Sequence, residues 1–353
     1  MGNINDMTVG APSRSILRFA IPLIFGYILQ QMYLIIDAAI VGRTIGVNAL
    51  AAVGASSSIM FLIIGFCNGS CSGFAIPIAQ AFGAKDYTTM RSYVSNAIRL
   101  AAIIAVILTV TTCALCTPIL QLVNTPKEVF SDAYIFLLLN FIAIPFTFIY
   151  NCLSGFIRAL GNSKQPFYFL IISSLVNVAL DVLLIIFLHL GVEGAGIAPL
   201  LSQAFSGYLC YNYIKRKMPI LVPHKEECLR DRKKSLTLLN NGIPMGLQFS
   251  ITAIGIIMLQ GANNALGTRY VAAFTASMRV KYLFTCVFEN IGVAMATYCG
   301  QNIGAGELHR ISLGIRSAIK IMLVYFLFTL VIILPFADYL MQIFVDPSET
   351  EII

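Results

Sequence analysis

Long apolar runs dominate this sequence, and the first of them, residues 15–43, constrains the fold most. A helix crosses a bilayer with about 20 apolar residues, and this run is longer. Only 11% of the 353 residues are charged, whereas a soluble domain carries about 25%. A transmembrane barrel would show segments of about ten residues with alternating polarity, and the sequence has none. The sequence therefore predicts an all-α polytopic membrane protein.

Turn signals divide the chain into nine predicted spans. Most basic residues lie in alternate loops, above all in the central loop, residues 215–235. Positive loops of this kind face the cytosol, so we expect a multi-pass protein of the cell membrane with a cytosolic N terminus and central loop. We expect no nucleic-acid partner. The predicted spans are residues 15–41, 48–82, 92–116, 132–156, 167–188, 191–213, 236–262, 270–301 and 311–336.

The second half of the chain repeats the first. Six predicted spans precede the central loop, so the repeat is parallel and predicts two lobes. At a constant offset, the second half ends at the equivalent of Asp132, and we expect twelve helices in the full-length protein, with helices 10–12 missing here. The predicted parts are a six-helix lobe (1–214), a basic linker (215–235) and a partial lobe with helices 7–9 (236–353). The motif Gln80-x-x-Gly83-Ala84 recurs 221 residues later as Gln301-x-x-Gly304-Ala305, Asp86 is matched by Glu307, and Arg99 by Lys320.

Acidic residues inside apolar runs are candidates for an ion site. Asp37 lies near the end of the first run, where a carboxylate costs roughly 2.5–3.5 kcal/mol on insertion scales. It either binds a proton or cation, or anchors the helix end at the headgroups near Arg43. Asn177 and Asp181 stand one turn apart on one face of a helix. They either belong to the proton or cation site or form a polar clasp between helices. Two carboxylates in a dry lobe cannot both stay charged, and a proton or a hard cation relieves this.

Two further polar residues are candidates for lining a cavity, Asn151 and Glu289. Glu289 lies inside the eighth predicted span. It either attracts a cationic substrate or pairs with Lys281 or Arg279 on its own helix. The sequence contains no H-E-x-x-H, G-x-S-x-G or Walker A motif, so we expect neither an enzyme nor a cofactor.

Several short motifs, in a fixed order and partly duplicated, carry a family resemblance. In them the chain resembles the multidrug and toxic compound extrusion (MATE) family. The resemblance implies a two-lobe helical bundle, twelve helices in full length and about nine here, around a central cavity. The motifs are Ile21-Pro22-Leu23, Asp37-x-x-x-Val41-Gly42-Arg43, the two Gln-x-x-Gly-Ala turns, Arg158-Ala-Leu-Gly161-Asn162 and Gly191-Val-x-Gly194-Ala195.

The resemblance also implies roles for individual residues. It assigns a proton or cation site in the first lobe to Asp37, Asn177 and Asp181, and a hinge in the first helix to Pro22. A threonine of that site corresponds here to Pro199, which has no hydroxyl. Na⁺ at these three residues is the only metal that we expect.

The function implied is secondary active antiport. Cationic or amphipathic drugs would leave the cell against an inward flow of H⁺ or Na⁺, by alternating access. The expected partners are a small-molecule substrate and membrane lipid, and we expect a monomer. The alternatives are a flippase for a lipid-linked precursor, within the same superfamily, and a membrane receptor or scaffold that transports nothing.

Overall fold

The computed structural model describes residues 5–123, 125–264 and 268–342, and within these residues the regular structure is helical. Helices stand at all nine predicted spans. Six are long and apolar enough to cross a membrane, or seven if one bent pair is a single span. The α-helices are α1 (Pro12–Thr44), α2 (Val47–Gly83), α3 (Tyr87–Ala114), α4 (Cys116–Leu122), α5 (Phe130–Ile142), α6 (Ile144–Ala159), α7 (Lys164–Asp181), α8 (Val192–Lys217), α9 (Arg232–Asn264), α10 (Thr268–Gly304) and α11 (Leu308–Gln342).

The fourth predicted span differs from our expectation because it is broken. It consists of α5 and α6, which meet at Ala143 with a bend of 42°. Pro145 stands in the first turn of α6, where its missing N–H would lack a helical partner anyway. A proline that would interrupt one long helix is therefore accommodated as the start of a second helix.

The fifth predicted span changes its helical form at a candidate site residue. Asp181 is the last residue of α7, and a π-helix follows at Val182–Phe187. The Leu188 amide donates to the Leu183 carbonyl at 2.9 Å, which is the i to i+5 spacing of a π-helix. Such wide turns are rare and often mark functional sites.

We call α1–α8 the N-terminal lobe and α9–α11 the C-terminal lobe. The two lobes pack most closely where α2 meets α9. A Cβ on Gly69 or Gly73 would overlap the α9 backbone, so glycine is needed for this approach. At Gly54, near the start of α2, an added Cβ would meet no described neighbour within 4 Å beyond its own turn of the helix. The close approach that Gly69 and Gly73 permit is therefore absent at Gly54.

Helix α1 packs on the C-terminal lobe as well as on the rest of its own N-terminal lobe. Its first half, with Ile16 and Phe19, forms a buried cluster with Ile291 and Tyr298 of α10. Its last turns pack on the N-terminal lobe, where Val41 joins a cluster with residues of α2, α5 and α8. The helix runs through Pro22 without a break. One helix thus connects the region of Asp37 with the contact between the lobes.

Several loops meet at one end of the bundle, which we call the basic end after the Lys and Arg residues at the adjoining helix ends, such as residues 215–217 and 232–234. It comprises residues 5–11, 84–86, 160–163, 218–231 and 305–307. The Asn5 amide donates to the Leu160 carbonyl, Arg310 donates to the Gly10 carbonyl, and Arg91 at the start of α3 bonds to Glu227. The segment between α8 and α9 is residues 218–231, shorter than the predicted linker because both helices extend further.

Candidate functional site

The carboxyl groups of Asp37 and Asp181 face each other between α1 and α7. They lie within hydrogen-bonding reach of one another. The Asp181 side chain is fully buried and Asp37 is 8% exposed. Asp37 is therefore packed against the N-terminal lobe, which is not the exposed position that a headgroup anchor would need.

Oxygen atoms without hydrogen-bond donors surround this contact. Asp37 Oδ1, both carboxylate oxygens of Asp181 and Asn177 Oδ1 are buried, and no described residue donates to them. A buried acceptor without a donor is unfavourable by about 1–3 kcal/mol, and more when it is charged. These four oxygens are all acceptors, so they fit a positive species: a proton shared by the two carboxylates, or a hard cation with oxygen ligands.

Ser202 of α8 fixes the orientation of Asn177. The Asn177 amide nitrogen donates to Ser202 Oγ at 3.4 Å, and this hydroxyl donates to the Pro199 carbonyl at 3.0 Å. Ser173 Oγ of α7 donates to the Ser202 carbonyl at 2.9 Å. Asn177 therefore does clasp two helices, as the alternative interpretation holds, and the clasp leaves its buried carbonyl oxygen without a donor.

Sequence reasoning missed two residues here. Ser202, one turn after Pro199 on α8, places a hydroxyl against Asn177. Tyr33, one turn before Asp37 on α1, lies close enough to both carboxylates to interact with them electrostatically. The spacing of Tyr33 and Asp37 was readable from the sequence, but the contact of Ser202 depends on how α7 and α8 are aligned.

Two other predicted residues lie apart from this cluster. Asn151 is half-buried in α6, and its amide donates to the Thr147 carbonyl of the same helix at 2.9 Å. Pro22 is buried within a continuous α1. Their proposed roles in cavity lining and bending stay predictions.

Glu289 lies on α10 with an exposed side chain, near Tyr27 of α1. Lys281 is close enough to interact with it electrostatically, but the described residues contain no salt bridge between the two. The alternative partner Arg279 has a side chain outside the described ones. Glu289 therefore faces the side of α10 that is nearest α1.

Comparisons with known proteins agree with this architecture. The MatE family model matches residues 22–183 and 243–353. The probable multidrug resistance protein YoeA of Bacillus subtilis (strain 168) is 29% identical over 344 residues, which are 96% of this chain and 74% of that protein. The probable multidrug resistance protein YpnP of the same organism is 30% identical over 307 residues, or 87% and 68%.

Solved structures agree in fold. The outward-facing conformation of a multidrug resistance MATE family transporter of the MOP superfamily superposes with a TM-score of 0.91 at 23% identity. The match covers 100% of this chain and 78% of that one. YoeA, YpnP and this transporter are named for multidrug resistance and not as lipid flippases, so the flippase alternative is not favoured. Family members are transporters and not enzymes, and the apolar helices make this a multi-pass membrane protein. The chain therefore belongs to the MatE family of membrane transporters.

Proposed function

We propose that the protein exports cationic or amphipathic drugs, driven by the inward flow of H⁺ or Na⁺ through the site at Asp37, Asn177 and Asp181. The names of YoeA and YpnP, both probable multidrug resistance proteins, support drug export. The observation that carries the coupling is the buried contact of Asp37 with Asp181, surrounded by oxygen atoms that lack donors.

The physics of this site supplies a way to drive a conformational change. With a proton or cation bound, the two carboxylates can stay buried, and without it they require water. The ion therefore has different affinities for a closed and an opened N-terminal lobe, which is what shifts an equilibrium between two states.

Helix α1 is our proposed route from the ion site to the lobe contact. It carries Asp37 at one end and packs on α10 with its other half. Pro22 lies between these two regions, and because proline lacks an N–H, the helix is easier to bend there. The basic end faces the cytosol in this proposal, since positive loops stay on that side.

Neutralising either carboxylate tests the proposal. Asp37→Asn and Asp181→Asn should each reduce efflux of a fluorescent organic cation to the level of cells that lack the protein, because an amide neither binds nor releases a proton. The matched control is Asp132→Asn, which removes a carboxylate at the start of α5 in the same lobe. Its efflux should equal that of the wild type.

Membrane abundance of each variant is measured by immunoblot, so that lost expression is not taken for lost coupling. Purified protein in proteoliposomes, given a Na⁺ gradient or a pH gradient alone, then identifies the coupling ion. Wild-type efflux from both Asp37→Asn and Asp181→Asn would refute the site.

A further inference from the structure

A short segment before α1, residues 5–10, lies across both lobes at the basic end. Toward the N-terminal lobe, the Asn5 amide donates to the Leu160 carbonyl at 3.3 Å. Toward the C-terminal lobe, the Met7 amide donates to Gln301 Oε1 at 2.9 Å, and the Met7 carbonyl accepts from Asn302 Nδ2 at 3.3 Å. The Met7 side chain is fully buried. The segment is therefore bonded to the two lobes at once.

Gln301 is the centre of these contacts. It is fully buried on α10, and while its Oε1 accepts from Met7, its Nε2 donates to the Ala159 carbonyl at the end of α6, at 2.8 Å. An amide side chain offers both an acceptor and donors, and Gln301 uses both kinds. One uncharged side chain thus joins the C-terminal lobe, the N-terminal lobe and the segment that crosses them.

The same residue belongs to the motif that the two halves of the chain share. A Cβ on Gly83 of α2 would overlap the Gln301 carbonyl oxygen, and a Cβ on Gly304 of α10 would overlap the Gln80 carbonyl oxygen. The two copies of the motif therefore cross reciprocally at the basic end. Their side chains differ, since the described residues contain no hydrogen bond from the Gln80 side chain, whereas Gln301 makes two.

We propose that Gln301 and residues 5–10 form a latch that holds the basic end closed, and that this latch opens when the lobes separate there. The inference rests on the proposed alternating access. Buried polar groups give up their partners only where water replaces them, so Gln301 releases Met7 and Ala159 as the basic end becomes wet. Arg310 strengthens the latch, since its Nη2 donates to the Gly10 carbonyl at 2.9 Å.

Hydrogen exchange measured by mass spectrometry on the purified protein tests the latch. In the wild type, the Asn5 and Met7 amides, which are bonded to the two lobes, should make the segment exchange slowly. In Gln301→Ala they should exchange about tenfold faster, because the acceptor of the Met7 amide and the tie to Ala159 are lost. The matched control is Gln80→Ala, which removes the equivalent side chain of the other repeat and keeps the backbone carbonyl. Its exchange should match the wild type.

Arg310→Ala provides a second variant in case Gln301→Ala does not fold, and it should accelerate exchange in the same segment. Unchanged exchange in a folded Gln301→Ala or Arg310→Ala protein would overturn the latch. So would equal acceleration in Gln80→Ala, which would mean a general loosening of the α2–α10 crossing. Hydrogen exchange is measured without any transport. A failure of the proposed drug efflux would therefore leave the result for the latch unchanged.

Discussion

At the level of single residues, the hydroxyl of Ser202 orients the side-chain amide of Asn177, which stands one turn before Asp181 on α7. An asparagine amide carries donors on one side and an acceptor on the other. Because Ser202 Oγ accepts from the Asn177 nitrogen, the buried Asn177 oxygen is left without a donor, as are the two carboxylate oxygens of Asp181. An amide in the reverse orientation would present a donor to the site and would compete with a cation.

We predict that Ser202→Ala weakens ion coupling without abolishing it. Loss of one hydrogen bond of about 1 kcal/mol should raise the coupling-ion concentration needed for half-maximal efflux about fivefold. Ser202→Thr retains a hydroxyl and should restore the wild-type value. Ser206→Ala, one turn further on α8 and also at a buried position, is the control and should change nothing. Equal ion dependence in Ser202→Ala and the wild type would exclude this orienting role.

Sequence reasoning could select Asp37, Asn177 and Asp181 because a carboxylate or amide in an apolar run is unusual and the spacing of the latter two places them on one face. It could not select Ser202, since a serine in a helix rich in small residues gives no signal of its own. Its partner is set by the alignment of α7 with α8, which no pattern along the chain records.

At the level of elements, the segment between α8 and α9, which the sequence predicted only as a basic linker, is bound to α3. Arg91 donates two hydrogen bonds to Glu227, at 2.7 and 2.6 Å, and Asn96 Oδ1 accepts from the Asp231 amide at 3.2 Å. The Arg91 guanidinium is the main cause that lowers the pKa of Glu227 to about 2. Composition identified the basic linker, but not the acidic side chain in it that docks on α3.

We predict that the docking of this segment depends on pH and on Glu227. Its folded pKa is lowered from the usual 4.5, so the contact stabilises the docked segment above about pH 4.5 and is lost as the pH falls toward 2. Glu227→Gln should lower the stability of docking by about 1 kcal/mol at neutral pH, the upper range for such pairs near the surface.

Hydrogen exchange of residues 218–231 measures this change. It should be several-fold faster in Glu227→Gln than in the wild type at pH 7, and the two proteins should converge as the pH approaches 2. Glu226→Gln, which removes the neighbouring exposed carboxylate, is the control. Identical exchange in all three proteins at pH 7 would mean that the Arg91 contact does not hold the segment.

At the level of the whole molecule, the two lobes touch where α2 meets α9, where α1 packs on α10, and at the basic end. The repeat in the sequence predicted two related lobes, because a constant offset across three helices requires duplicated structure. The repeat could not predict which end of the bundle is closed, since both copies of the motif are compatible with a closed or an open basic end. Gly83 fits against Gln301 and Gly304 fits against Gln80 only when α2 and α10 of the two lobes are packed together.

If transport requires the basic end to open, a covalent link across it should stop efflux. A Cβ on Gly300 of α10 would lie 3.1 Å from the Ala79 Cβ of α2, and disulfides form at Cβ separations of about 3.5–4.5 Å after a small shift. Oxidation of the pair Ala79→Cys and Gly300→Cys should therefore block efflux, and a reductant should restore it.

The control for this link is the pair Ala75→Cys and Gly155→Cys, whose Cβ atoms lie 3.7 Å apart on α2 and α6 within one lobe. This disulfide moves with the N-terminal lobe, so the oxidised protein should transport as well as the reduced one. Wild-type protein under the same oxidant accounts for its native cysteines, and mass spectrometry measures the fraction linked. Because the two pairs stand one turn apart on α2, they differ mainly in whether the link crosses from one lobe to the other. Full efflux from a completely linked Ala79–Gly300 pair would mean that the basic end stays closed throughout transport, and the proposal that the latch opens there would have to be abandoned.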